Sequence, residues 1–108
     1  MTAASVTDPV LIRFRKALDE SYGDRLERVV LFGSRARGDA RPDSDYDIAV
    51  FLRDMDDSGA EMNRLADLAT EILYNEGEFI HAMPYRAGSY ADARVPLMYE
   101  IRMTGIDL

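Results

Sequence analysis

The 108-residue chain has no cysteine and a single histidine, His81. Disulfides and thiolate zinc sites are therefore excluded, and so is a metal site built from several histidines. Any cation must be held mainly by carboxylates, which suit Mg²⁺ or Mn²⁺. No apolar run reaches membrane-spanning length. Residues 1–8 carry neither the basic start nor the apolar stretch of a secretory signal. No membrane association and a cytoplasmic location are the default expectations. An excess of positive charge is missing too: 13 Lys and Arg stand against 20 Asp and Glu, a formal net charge of −7. Such a surface repels phosphate backbones and disfavours general nucleic-acid binding. A basic or mixed-charge protein partner stays open.

What is present is an ordinary globular mixture, 47% hydrophobic and 31% charged, enough for one core without covalent staples. One domain over residues 1–108 is expected, with 1–7 a loose leader. Asp8-Pro9 reads as an N-cap and first helical position. Leu11, Phe14, Leu18 and Tyr22 recur at helical spacing, predicting a helix from 9 to about 22, ended by Gly23. Residues 28–32 are apolar on both parities, which predicts a strand covered on both faces. A punctuated loop containing Gly38, Pro42 and Asp43 leads to a second strand at 45–52. There Tyr46, Ile48, Val50 and Leu52 share one face, and Asp45, Asp47, Ala49 and Phe51 the other. Ser58 and Glu61 have capping-box spacing. They open a helix to about Asn75 with Met62, Leu65, Leu68, Ala69 and Leu73 facing inward. A third strand is expected from Glu78 to Met83, closed by Pro84, and a last helix over 96–104. The order predicts an α/β (α+β) layer structure: a short mixed sheet with packed helices.

The chemistry concentrates between the first two strands. Gly33 lets a phosphate approach the backbone because no Cβ intervenes. Ser34 adds a hydroxyl and, where a helical turn starts, free N–H groups. Asp45 and Asp47 lie one residue apart on a strand and so point the same way, roughly 7 Å apart. Two such carboxylates can hold a divalent cation that bridges the phosphates of a nucleoside triphosphate. Arg35, Arg37 and Arg41 form the one basic cluster. Taken as phosphate clamps or as solvated loop residues, they read equally well. Asp39 and Asp43 read as turn residues. Asp54, Asp56 and Asp57 read as a helix-leading acidic loop without the calcium-loop pattern. The methionines read as core filler; some of them, with Tyr90 and Tyr99, are also candidates for a partner surface.

Gly33-Ser34, ten residues, then Asp45-Tyr46-Asp47 resembles the signature of the polymerase-β-like nucleotidyltransferase superfamily. The stretch VVLFGSRARGDARPDSDYDIAVFL is similar to its minimal nucleotidyltransferase (MNT) subgroup. The resemblance implies a polymerase-β-like fold. It implies Gly33 and Ser34 on the phosphates of ATP or another nucleoside triphosphate, and Asp45 and Asp47 on Mg²⁺ or Mn²⁺. It also implies transfer of a nucleotidyl group, AMP above all, to a hydroxyl. Many MNT proteins are antitoxins of HEPN-type ribonuclease toxins, so a HEPN-type partner is expected to carry that hydroxyl. Active members supply a third carboxylate four residues beyond the glycine that ends the preceding helix. Counting from Gly77, that position is His81; Glu78 lies three residues earlier. An imidazole there can bind metal or take a proton but adds no negative charge, so His81 is the third catalytic candidate. The same departure supports an alternative, an MNT-fold binding module that neutralises its partner by forming a complex.

Overall fold

The structure, a computed structural model, describes residues 7–108. The loose leader expected over residues 1–7 lies outside the described residues except for Thr7, which is helical and exposed. Helix α1 (Pro9–Tyr22) is capped by Asp8, whose side chain accepts the Val10 N–H at 2.9 Å, and it ends on Gly23. A 3₁₀ turn (Gly23–Arg25) leads into β1 (Leu26–Phe32). One short helical turn, α2 (Ser34–Arg37), precedes β2 (Tyr46–Leu52). Helix α3 (Ser58–Glu76) follows, then β3 (Ile80–Arg86), a 3₁₀ turn (Ser89–Ala91), α4 (Pro96–Thr104) and the two-residue strand β4 (Ile106–Asp107).

The sheet order is β3-β2-β1-β4. Strands β1 and β2 are antiparallel, as are β1 and β4, whereas β2 and β3 run parallel across the α3 crossover. The expected mixed sheet is thus present. Alternation along β2 divides the core. Tyr46, Ile48, Val50 and Leu52 pack with Val29 and Leu31 against Phe14 and Leu18 of α1 and Leu65 and Ile72 of α3. Ala49 and Phe51 face the other side with Val30, Met98 and Ile101. Burying each large apolar side chain of this kind contributes about 1.5–3 kcal/mol, so both faces of the central strands are strongly held.

Several local expectations are corrected. The α3 cap is Asp57, which accepts the Ala60 N–H at 3.1 Å, not Ser58. Glu61 is instead buried and paired with Arg25 at 2.5 Å; the carboxylate gains more from a full cation than from one backbone N–H. Met62 is 45% exposed, and Ile72 rather than Leu73 is the buried residue of the last α3 turns. Strand β3 starts at Ile80, leaving Glu78 ahead of it, and runs through Pro84. That is tolerated because β3 is an edge strand, where a residue without an N–H costs no ladder bond on the outer side. Strand β4 was not anticipated, since two residues carry no readable period. Its docking on Val30 and Leu31 needs Gly105 to pass close by: a Cβ there would overlap the Ile101 carbonyl and Val30.

No helix among the described residues is long and apolar enough to cross a membrane. Tyr90 is a packing residue, edge-on to Phe51 with the Arg28 guanidinium 4.0 Å from its ring centre, whereas Tyr99 is 61% exposed.

The face that packs α1 is tied down by Asp8. One carboxylate oxygen caps the helix and the other accepts the Tyr46 hydroxyl at 2.8 Å. Burial, and then the Asp8 hydrogen bond, push the Tyr46 phenol up from 10.0 to about 12. Because the folded value lies above the unfolded one, this stabilisation is complete below pH 10 and is lost as pH climbs through 12. Urea unfolding midpoints should fall over that range, and less steeply in Tyr46→Phe than in the wild type; equal slopes would show that Tyr46 does not carry this dependence.

Candidate active site

The antiparallel register of β1 and β2 sets Phe32 opposite Asp47. Gly33, the next residue, therefore turns beside the Asp47 side chain. Its backbone lies at φ 75°, a region strained for any residue with a side chain. A Cβ at Gly33 would overlap Asp47 Oδ2 and sit 3.3 Å from Cγ. The small-residue seat and the carboxylate are thus in van der Waals contact, on the α4 side of the sheet. The α2 turn starts here: Ala36 and Arg37 N–H both donate to the Gly33 carbonyl at 3.1 Å. The preceding N–H groups, of Ser34 and Arg35, have no intrahelical acceptor and point outward from a helix start. The Ser34 hydroxyl is half-buried and has no hydrogen-bond partner among the described residues.

Asp45 lies just before β2 and is exposed, with its side chain free of ion pairs and hydrogen bonds among the described residues. Asp47 is half-buried, with 33% of its side chain exposed. On the other side of Asp47 stands His81, its register partner across the parallel β2–β3 pair. The imidazole Nδ1 lies 3.6 Å from Asp47 Oδ1, and the ring is 64% exposed. Gly33, Asp47 and His81 thus come together, with Asp45 at the rim. Among the described residues no cluster of three acidic or histidine side chains converges on one point. The hard oxygen donors and the open Gly33 cradle nevertheless fit Mg²⁺ or Mn²⁺, which normally completes its shell with waters and substrate phosphates.

The arginines part company. Arg35 donates to the Ser44 carbonyl at 2.8 and 3.0 Å and to the Pro42 carbonyl at 3.3 Å. Its guanidinium also stacks 4.0 Å from the Tyr46 ring centre and pairs with Glu78 at 3.4 Å. It holds the loop that delivers Asp45 and is not poised toward the Gly33 seat as folded. Arg37 is half exposed, with weak contacts to Asp39 (3.5 Å) and Glu100 (3.7 Å), and is the freer cation. Sequence reasoning missed Arg35 as a loop anchor and Asp8 as the tie behind the site. The loop-spanning bonds of Arg35 have no sequence signal, but Asp8 was readable as a cap. A groove of ≈ 560 Å³ between α1 and α3 is lined by Ile12, Lys16 and Leu68 and includes none of the site residues.

Residues 11–98 match the family described as "Nucleotidyltransferase domain". A Methanocaldococcus jannaschii protein named as a "putative protein adenylyltransferase" is 37% identical over 70 residues, covering 65% of this chain and 64% of its own length. A second protein of that description from the same organism is 39% identical over 46 residues, 43% of this chain and 46% of its own length. The chain thus spans less than two thirds of these relatives. A solved "putative nucleotidyltransferase" from Sulfolobus solfataricus has a TM-score of 0.63 at 20% identity, covering 91% of this chain and 75% of that one. A toxin–antitoxin structure with AMP-PNP has a TM-score of 0.61 at 22% identity, covering 87% and 68%. Both share this fold, and the expected fold class stands.

Gly33→Ala tests the seat. The new methyl must displace Asp47 and occupy a positive-φ backbone, costing about 1–3 kcal/mol of stability. Calorimetry with ATP and Mg²⁺ should show binding weakened at least about tenfold, the equivalent of 1.4 kcal/mol. Unchanged affinity in a folded Gly33→Ala protein would separate the seat from nucleotide binding.

Proposed function

The chain belongs to the nucleotidyltransferase domain family, and from that premise we propose that it transfers AMP from ATP to a hydroxyl of a protein partner, as antitoxin to a HEPN-type ribonuclease toxin. The observation that carries this reading is the contact of the Gly33 backbone with the Asp47 carboxylate, which would set a phosphate seat beside a cation ligand. The adenylyltransferase names of the relatives and the toxin–antitoxin neighbour support the choice of acceptor class.

In this reading the free N–H groups at the start of α2 and the Ser34 hydroxyl hold the β/γ-phosphates, with Arg37 available to pair with a phosphate oxygen. Asp45 and Asp47 would hold Mg²⁺ or Mn²⁺, which supplies charge neutralisation for the phosphates and the leaving group. The acceptor oxygen bonds to the α-phosphorus, the α–β bridging P–O bond breaks, and pyrophosphate leaves. The hydroxyl proton is lost on the solvent-exposed side of the site, where Asp45 and His81 stand. Gly33 would keep the phosphate path clear, and Arg35 holds the carbonyl of Ser44, the residue before Asp45. With ATP labelled on the α-phosphate, Mg²⁺ and a HEPN-type partner protein, the partner should become labelled. Asp45→Asn combined with Asp47→Asn should cut that labelling by at least about a hundredfold; labelling at the wild-type rate in the double variant would refute the assignment.

A second reading has its own observation. His81 stands where the family resemblance implies a carboxylate, and no three-acid cluster forms among the described residues. In that case the domain neutralises its partner by complex formation alone. Cells carrying the toxin and the double Asn variant decide between the two readings: survival means binding suffices, and death means chemistry is required.

A further inference from the structure

We propose that the outer edge of β3 at Ile80 and Ala82 is the docking line for an extended segment of the acceptor protein. The segment pairs there as an added strand and brings its hydroxyl toward Asp47 from the side away from Gly33, which rests on the transfer reading given above and adds to it the surface and the shape of the partner segment.

The main chain of β3 decides which groups are free. The sheet order ends at β3, and among the described residues no strand lies beyond it. The N–H and C=O of one strand residue point to the same side, and the side alternates along the strand. The Tyr46 N–H donates to the Phe79 carbonyl and the Ala87 N–H to the Leu52 carbonyl, both at 2.9 Å. Phe79 and Ala87 therefore turn their main-chain groups toward β2, as do His81, Met83 and Tyr85 between them. Ile80, Ala82 and Pro84 turn theirs outward. Among the described residues no loop, turn or side-chain hydrogen bond takes up the N–H or C=O of Ile80 or Ala82.

Proteins usually blunt such an edge with proline or charge, and here the blunting is uneven. Pro84 removes the outward donor farther along, whereas residues 79–83, FIHAM, include no Asp, Glu, Lys or Arg. The unguarded stretch is the one beside the candidate site, because His81 is level with Asp47. Ile80 and Ala82 pack into the α1–α3 core and hold the strand in place. On the opposite face Phe79 is 61% exposed and the His81 side chain 64%, so the site face next to the edge is open.

Strand β2 lies between β1 and β3, so Gly33, which follows β1, and the β3 edge flank Asp47 from opposite sides. Phosphoryl transfer sets the attacking and leaving oxygens roughly in line across phosphorus. With the departing pyrophosphate at the Gly33 seat, the acceptor enters from the β3 side. A strand added there runs about 10 Å from β2, twice the spacing of neighbouring strands, and its site-facing side chains lie alongside His81. Main-chain pairing gives the affinity, and side chains on alternate positions give the choice of segment. A net charge of −7 favours a segment poor in acidic residues.

In the ¹⁵N-labelled full chain, hydrogen exchange at the Ile80 and Ala82 amides should slow at least about tenfold when a HEPN-type partner protein is bound. Ala82→Pro deletes one outward donor, and Pro84 shows that this edge accepts a proline. In the labelling assay it should raise KM for the partner by roughly tenfold, the upper range for one main-chain hydrogen bond, with kcat little changed. Amides that stay unprotected in the complex, or an unchanged KM in folded Ala82→Pro, overturn the proposal; if that variant does not fold, the exchange measurement on the wild type decides. Protection already present in the chain alone and growing with its concentration gives the edge to a second copy and overturns the proposal as well. The two failures are distinct. Protected amides with no label on the partner keep the docking line and remove the transfer reading, whereas a labelled partner with unprotected amides does the reverse.

Discussion

The Asp47 carboxylate rests against a stretch of main chain that has no side chain, and the arrangement of the first two strands exists around that contact. Antiparallel pairing puts Phe32 across from Asp47, and the next residue must then leave the strand through the space where the carboxylate already stands. Only glycine can do so: the turn needs a positive φ, and a Cβ would collide with the acid. Backbone N–H groups and a carboxylate are thereby forced into one small volume. The N–H groups favour a phosphate but the carboxylate repels it; a cation between the two anions would resolve that repulsion.

The rest of the fold keeps this register from slipping. A one-residue shift of β2 would turn Tyr46, Ile48, Val50 and Leu52 away from α1 and α3 and bring Asp47 into the core. Tyr46 is doubly fixed, by the Asp8 hydrogen bond behind it and the Arg35 guanidinium across its ring. Because Tyr46 precedes Asp47 in β2, anchoring it on one face orients Asp47 toward the other. The half-buried Arg25–Glu61 pair ties the turn before β1 to α3, and Arg25 also donates to the Arg53 and Asp54 carbonyls just beyond β2. Removing one member of a pair like this strands a charge at low dielectric and costs about 3–5 kcal/mol, reduced here because Arg25 keeps a third of its side chain in water. Exposed pairs such as Arg94–Asp92 are screened by solvent and contribute little, so they do not compete in importance.

The positive charges follow the same logic. In a chain with a net charge of −7, the arginine cluster beside the seat looked like a phosphate clamp or solvated loop. Arg35 is neither as folded: it closes the loop on itself through the Ser44 and Pro42 carbonyls and neutralises Glu78. In the proposed reading the phosphate donors at the seat are accordingly main-chain N–H groups and the Ser34 hydroxyl, with Arg37 more exposed than Arg35. Such a seat reads phosphate geometry more than charge, and it leaves the cation to supply the neutralisation.

Much of this was legible along the chain, because local rules decide it. Helical periodicity and caps located α1 and α4, alternation assigned both faces of β2, and Gly33-Ser34 with Asp45-Tyr46-Asp47 pointed to the candidate site. Ser58 and Glu61 misled because their spacing suits a capping box, while the winning partner of Glu61, Arg25, is 36 residues away. Pro84 misled because its tolerance depends on β3 being an edge strand. The pairing of His81 with Asp47, the capture of Arg35 by its loop and the addition of β4 were likewise decided by the tertiary structure alone. Each depends on which strand lies beside which, and a residue's neighbours across a sheet are set by packing summed over the whole core, not by its neighbours in sequence.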